Sequence, residues 1–318
     1  MLFSVEKRLK ILAERFAEKG VRTSVSQTFS SLTTLRVGGK IALAAYPKNT
    51  KQFLFCVEQS AEAKLPFVII GFGSNTLAWD DDFVGVAICT ARFDGFSLRG
   101  NKLVAFCGAS TAKIGWQLQK AGLGNGEFLC CLPATIGGAA VSDAGCFGGC
   151  MANVVTAVWA IDGGKMRKFS VKDCKFGKRT SVFRRQNLPV VALEAEFCPS
   201  STDIVAEKIQ RDLQTKRQTQ PLGKKTAGSA LYHECVAISR LTDICGLKGF
   251  RVGDAEVSKK HAGFVVNIDK ATAKDIYLLV QHVRRNLLCR FGINAKVELS
   301  LVNFPENLRI DGAREIFP

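Results

Sequence analysis

The 24 residues from Gly126 to Gly149 read G-E-F-L-C-C-L-P-A-T-I-G-G-A-A-V-S-D-A-G-C-F-G-G, and six of them are glycine. Almost no charge and a single proline make the stretch too apolar for a surface loop. It is also too rich in glycine for a core helix, where each glycine costs about 0.5–1 kcal/mol relative to alanine. Two solutions satisfy that composition. Backbone is brought close to a flat ligand, or backbone segments pack tightly on one another. Composition alone does not choose between them.

The rest of the chain reads as alternating helices and strands. Residues 1–28 hold an amphipathic helix, with Val5, Leu9, Leu12 and Phe16 on one stripe, and its lead-in. A strand at Ile41–Tyr46, a helix from Thr50 to Lys64 and a buried strand at Phe67–Ile70 form a β-α-β unit, which Gly71-Phe72-Gly73-Ser74-Asn75 follows directly. A Rossmann fingerprint is rejected, because Thr76 stands at the third glycine position and Asp80-Asp81-Asp82 comes too early for a ribose-binding carboxylate. The turn can still expose backbone N–H groups as an anion nest.

Further strands are expected at Val84–Cys89, Leu103–Cys107 and Val190–Phe197, with a helix from Thr111 to Ala121. Asp162-Gly163-Gly164 marks a hairpin between Val154–Ile161 and Lys165–Phe169. Pro199 to Asp203 reads as a domain boundary and the N-cap of a helix reaching Lys216. A long helix from Thr272 to Arg290 ends at Gly292. A strand at Ala295–Val302 then places Val297, Leu299 and Leu301 on one face and Glu298 on the other.

The 12 cysteines include no C-x-x-C, and only 3 histidines accompany them. Zinc and iron–sulfur sites need tighter clusters, so no metal is expected and the thiols read as reduced, small apolar residues. The net charge is +16. Basic residues outnumber acidic ones 19 to 12 from residue 204 onward and 25 to 16 before it. Charge spread in this way argues against a nucleic-acid arm and suits either solubility or the attraction of small anionic ligands. The first twenty residues lack an apolar signal core, and no run approaches the roughly 18 apolar residues of a membrane span. A cytoplasmic monomer is expected.

Taken in order, several segments resemble one family. Thr33-Thr34-Leu35-Arg36-Val37-Gly38-Gly39, Gly71 to Asn75, Glu127-Phe128-Leu129, Pro133 to Ala139 and Asp143-Ala144-Gly145 are similar to the flavin-binding core of the UDP-N-acetylenolpyruvoylglucosamine reductases. Ile244 to Gly249 and Val257 to Asn267 resemble that family's C-terminal domain, and the likeness runs from Thr33 to Val302. It implies an α+β fold: a two-lobed FAD-binding domain of the vanillyl-alcohol-oxidase/PCMH type and a C-terminal α+β substrate domain. The expected spans are 29–199 for the first, with lobes at 29–95 and 96–199, then 203–303 for the second and 304–318 for a tail. The short segment between Phe183 and Gln220 matches the family's shorter subtype.

The activity implied is reduction of UDP-N-acetylglucosamine enolpyruvate to UDP-N-acetylmuramate, with non-covalent FAD and with NADPH as co-substrate, in peptidoglycan synthesis. By resemblance, Arg36, Gly71, Gly73, Ser74, Asn75, Pro133, Thr135, Gly137, Gly138, Asp143 and Gly145 hold the flavin. Arg179 pairs with the substrate carboxylate, Ser229 delivers a proton to the carbanion-like carbon, and Glu298 polarises the enolate. Lys178, Tyr232 and His233 are the expected substrate contacts.

The chain departs from the family pattern at Thr33, Lys178, Ala134, Asp143 and Leu231 to Glu234. Those departures keep a second reading open, a flavin- or nucleotide-sugar-binding homologue with lost or altered turnover. A flavin oxidase of the same fold acting on another substrate is the third.

Overall fold

The computed structural model describes residues 4–308 and the backbone of 314–315; the remaining parts of the expected N-terminal lead-in and tail lie outside the described residues. Two compact units emerge. One contains residues 1–24, 43–72 and 85–216, and the other residues 25–42, 73–84 and 217–318.

The first unit opens on the helix Val5–Glu18, where Ser4 caps the N-terminus by accepting the Lys7 N–H. Gly20 takes φ +67° just past the C-terminus, and the Val21 N–H reaches back to the Phe16 carbonyl. Glycine is the residue that adopts this left-handed stop at little cost. Leu12 and Phe16 from the predicted stripe are buried. The helix Thr50–Glu62 ends two residues before the predicted stop.

A four-stranded sheet runs in the order Arg22–Ser24, Ile41–Tyr46, Phe83–Cys89, Phe67–Ile70. The two strands of the expected β-α-β unit therefore flank a third, and Phe67–Ile70 pairs in parallel with Phe83–Cys89. A five-stranded antiparallel sheet has the order Lys165–Ser170, Val155–Asp162, Val190–Glu196, Lys102–Phe106, Phe96–Arg99. Asp162 pairs with Lys165 across Gly163 and Gly164, both at positive φ, as the hairpin signal requires. Phe16, Phe53, Phe128, Phe183 and Phe197 are almost wholly buried, and each such side chain contributes about 1.5–3 kcal/mol.

The second unit is built on an antiparallel sheet in the order Lys225–Ser229, Phe264–Asn267, Ala255–Val257, Arg251–Val252. The helix Ala273–Phe291 buries Ile276, Leu279, Val280, Val283 and Leu287 in this unit's core. Thr272 and Asp275 form a capping box at its start, and Gly292 at φ +67° ends it. Asp80 accepts the Ala273 N–H on both carboxylate oxygens, at 3.0 and 2.8 Å, and Asp82 accepts the Lys40 N–H at 3.3 Å. Two members of the acidic run thus terminate backbone segments.

One predicted strand is corrected. Ala295–Val302 is not continuous: Lys296–Val297 pairs with Leu231–Tyr232, and Ser300–Val302 pairs in parallel with Thr76–Ala78. The chain changes partner at Glu298 and Leu299. The predicted alternation holds through Val297 and Leu299, and Ser300 is then buried where alternation would expose it. The helix expected to stop at Lys216 continues to Thr219.

Seven of the twelve cysteines are buried, two are half-buried, and Cys198, Cys235 and Cys289 are exposed; all are free thiols. No helix is long and apolar enough to cross a membrane among the described residues.

Candidate active site

In the first unit the glycine-rich stretch is tied to its neighbours through backbone. The Ile136 and Gly137 N–H groups donate to the Ala109 and Cys107 carbonyls, both at 2.8 Å. A Cβ on Gly137 would lie 2.8 Å from the Cys107 Cβ, and one on Gly71 only 2.4 Å from the Thr135 Oγ1. At these two positions the bland reading, close packing of segments, is what the glycines serve. Thr135 caps the helix Ile136–Val141, accepting the Gly138 N–H at 3.4 Å, while Gly138 and Pro133 are exposed.

Asp143, Gly145 and Arg179 come together in the same unit. Asp143 is 8% exposed and sits at φ +42°, and its Oδ1 accepts the Ala152 N–H at 2.9 Å. Burial raises its carboxyl above the usual range, and the Arg179 guanidinium opposes that shift. A side chain on Gly145 would strike the Gly149 carbonyl, so this tight ladder needs glycine there.

Arg179 and Lys178 are the central residues of a turn closed by hydrogen bonds in both directions between Gly177 and Thr180, at 3.0 and 2.9 Å. Ser181 then donates to the Val141 carbonyl at 2.7 Å, and Arg179 Nη1 donates to the Gly145 carbonyl at 3.2 Å. The arginine is therefore fixed to the far end of the glycine-rich stretch. Lys178 is exposed beside it.

The second unit holds the remaining residues. Gly73 has φ +61°, and a Cβ there would meet the Leu32 carbonyl at 2.2 Å. The Thr34 N–H donates to the Gly73 carbonyl at 3.2 Å, which sets the turn beside the loop carrying Arg36. Arg36 is itself at φ +60°, is exposed, and donates to the Ser31 carbonyl. The N–H groups of Gly73, Ser74 and Asn75 donate to no acceptor among the described residues. Three successive unspent amides at a left-handed turn form a nest for an anion such as a pyrophosphate.

That nest connects to Ser229 and Glu298 through one set of hydrogen bonds. Asn75 Nδ2 donates to the Glu298 carbonyl at 3.1 Å, and the Ser300 N–H returns to the Asn75 carbonyl at 2.9 Å. Glu298 N–H donates to the Ala230 carbonyl at 2.9 Å, and Ala230 N–H donates to the Gly263 carbonyl at 3.0 Å. Ser229 follows Gly228 at φ +79°, at a register shift in its strand. Its half-buried hydroxyl meets the same Gly263 carbonyl at only 3.4 Å. So weak an anchor leaves the proton available to something else.

Gly263 has a role the sequence reading did not assign. A Cβ there would come within 3.1 Å of the Ser229 Oγ, the His261 Cε1 and the Ser239 Cβ. His261 Nδ1 accepts the Gly263 N–H, and burial holds its imidazole below the usual histidine range. The only local signal was the glycine in the run His261-Ala262-Gly263-Phe264. Tyr232 pairs opposite Lys296, and His233 Nδ1 accepts the Cys235 N–H.

A flavoprotein oxidoreductase is the class these features define. Residues 41–169 match the FAD binding domain, and residues 220–302 match the UDP-N-acetylenolpyruvoylglucosamine reductase C-terminal domain. The α+β class and the FAD-binding domain expected from the sequence are both found.

The chain belongs to the UDP-N-acetylenolpyruvoylglucosamine reductase family. It is 32% identical over 278 residues to the enzyme of that name from Moorella thermoacetica, covering 87% of this chain and 92% of that one. The Alkaliphilus oremlandii enzyme of the same name is 33% identical over 275 residues, 85% of this chain and 90% of the relative. The crystal structure of the Thermus caldophilus reductase superposes with a TM-score of 0.75 at 25% identity, over 88% of this chain and 98% of that one.

Proposed function

We propose that this protein reduces UDP-N-acetylglucosamine enolpyruvate to UDP-N-acetylmuramate at the expense of NADPH, supplying a precursor for peptidoglycan and hence for cell-wall growth and division. The observation that carries the reading is the hydrogen-bonded frame in the second unit. It ties an unspent amide nest to the backbone of Glu298 and to the residue after Ser229.

When bound, FAD supplies the hydride relay between NADPH and the enolpyruvyl double bond. In this reading Gly73, Ser74 and Asn75 take its pyrophosphate, with Arg36 adding charge from the adjoining loop. Gly71, Pro133, Thr135, Gly137, Gly138, Asp143 and Gly145 shape the rest of its site. The structure's own feature that fits the group is the anion nest formed by the amides of Gly73 to Asn75.

Reduction leaves negative charge on the carbon next to the substrate carboxylate. Arg179 meets that carboxylate with a guanidinium fork, whose geometry suits two oxygens. Glu298, in its protonated form, polarises the enolate. Ser229 gives its proton to the carbon, a transfer that needs a hydroxyl not committed elsewhere. Lys178, Tyr232 and His233 contact the nucleotide sugar. We assign 29–199 to the flavin and 203–303 to the substrate, in a cytoplasmic monomer.

Mixing the FAD-loaded protein with NADPH and the enolpyruvyl substrate tests the reading. Nicotinamide absorbance should fall beyond the single equivalent that reduces the bound flavin only when the substrate is present. FAD-loaded protein that consumes no NADPH under those conditions overturns it.

A further inference from the structure

The loop that joins the strands Ala255–Val257 and Phe264–Asn267 carries a histidine to which the proposed reaction gives no part. Ser258 opens the loop by accepting the Lys260 and His261 N–H groups on its hydroxyl, at 3.2 and 3.3 Å. The Ser258 N–H donates to the Phe264 carbonyl at 2.9 Å, and the Phe264 N–H donates to the His261 carbonyl at 3.0 Å. Backbone thus closes the loop on itself. The His261 ring stands edge-on to Phe264, with centroids 4.8 Å apart, and its Nδ1 accepts the Gly263 N–H at 3.2 Å.

Gly263 passes that contact on. Its carbonyl accepts both the Ala230 N–H at 3.0 Å and the Ser229 hydroxyl at 3.4 Å, and Phe264 pairs opposite Ser229 in the sheet. The side of Gly263 where a Cβ would stand is walled by His261 Cε1, Ser229 Oγ and Ser239 Cβ, each 3.1 Å away. Glycine turns more freely than any other residue. Its N–H therefore needs an anchor if its carbonyl is to hold Ser229 in one place, and the His261 ring is that anchor.

We propose that His261 is a positioning residue for the proton transfer: its ring fixes Gly263, and Gly263 fixes the Ser229 hydroxyl. The inference rests on the reaction assigned above. A ring nitrogen accepts a hydrogen bond only when it carries no proton, so this contact requires the neutral imidazole with its proton on Nε2. Burial favours that form and holds the imidazole below the usual histidine range. Lys248 acts in the same direction and Asp243, on the helix Ile238–Ile244, against it; the two pair with each other at 2.7 Å. The strand Lys225–Ser229 brings the uncharged Ser229 hydroxyl to this place. Protonation of the ring removes the acceptor, and the loop then loses its hold on the Gly263 N–H.

The acceptor can be kept while the titration is removed. An asparagine Oδ1 sits as far along its side chain as a histidine Nδ1, and asparagine accepts the N–H two residues on in Asx turns. His261→Asn should therefore keep the anchor at every pH tested. His261→Leu fills similar space with no acceptor.

The test is rapid mixing of the FAD-loaded wild type and both variants from about pH 5 to 8. At the upper end NADPH should bleach the flavin of all three alike. Reoxidation by the enolpyruvyl substrate should slow about 10- to 100-fold in His261→Leu, and by less than about threefold in His261→Asn. As pH falls, the wild-type reoxidation rate should drop relative to that of His261→Asn, with a midpoint below the usual histidine value of about 6.5. Equal reoxidation rates in the two variants, a bleaching half slowed as much as reoxidation, or a wild-type-to-Asn ratio that ignores pH overturns the proposal. If His261→Leu does not fold, that ratio still decides. NMR of the FAD-loaded protein without substrate separates the proposal from the reaction. The Gly263 amide should shift with pH in step with the His261 ring in the wild type and not in His261→Asn. An amide indifferent to the ring overturns the proposal, whereas a linked amide in a protein that converts no substrate supports the link and overturns the assigned reaction alone.

Discussion

Replacing Ser229 with alanine separates the fold from the proposed chemistry. The hydroxyl's protein contact is to the Gly263 carbonyl at 3.4 Å, half-buried and at the edge of hydrogen-bond range. An ordinary intramolecular hydrogen bond contributes about 0.5–1.5 kcal/mol, so this one is worth about 0.5 kcal/mol or less. For a protein of this size that is a fall in Tm of about 1–2 °C. FAD content should be unchanged, because the nest at Gly73 to Asn75 does not use the hydroxyl.

The rate effect should be far larger. General acid catalysis is worth about 10²–10⁴-fold, or about 3–5 kcal/mol of barrier. It should fall entirely on one half of the reaction. Hydride transfer from NADPH to the flavin precedes any need for a proton on the substrate carbon, so flavin bleaching by NADPH should match the wild type. Flavin reoxidation by the enolpyruvyl substrate should slow by two to four orders of magnitude. Rapid mixing resolves the halves separately. If Ser229→Ala slows bleaching, or leaves both halves untouched, Ser229 is not the proton donor.

Three further outcomes follow from the same geometry. Arg179→Lys should fail to rescue the reoxidation half that Arg179→Ala loses, since an ammonium cannot reproduce the fork; recovery to within threefold of wild type in stopped-flow traces would refute bidentate recognition. Gly73→Ala should cost about 1–2 kcal/mol from its left-handed backbone, with a further loss from the Cβ set 2.2 Å from the Leu32 carbonyl. Thermal melts and FAD titration should both show it, and unchanged FAD affinity would remove this turn from the flavin site. Asp143→Asn should raise Tm at pH 7 and do progressively less as pH falls. Burial raises the folded carboxyl's pKa, so its unfavourable charge is fully present above the folded value and is gone below the unfolded one, near 3.9. A Tm gain that persists unchanged below that pH contradicts the cause.

Local signals carried much of the fold. The N-terminal stripe, the Asp162 to Lys165 hairpin, and the cap at Thr272 with the stop at Gly292 each lie within a few residues of what they determine. The break at Glu298 was not legible, because Val297-Glu298-Leu299-Ser300-Leu301 alternates like one strand. Its two halves change partners for reasons that sit elsewhere in the chain. Asn75 and Glu298, 223 positions apart, are joined by a side chain whose direction no periodicity encodes. Among the site residues, the glycines were visible as glycines, but their purposes were not. Gly137 clears the Cys107 backbone, whereas Gly73 sets up the turn of the nest. Only neighbours in space distinguish the two.

The most direct measurement is the identity of the product. FAD-loaded protein incubated with NADPH and UDP-N-acetylglucosamine enolpyruvate should yield UDP-N-acetylmuramate, two hydrogens heavier than the substrate by mass spectrometry, with one NADPH consumed for each molecule formed. Recovery of the enolpyruvyl substrate unchanged while NADPH is oxidised would contradict the account, since the hydride would then be reaching oxygen instead of the double bond.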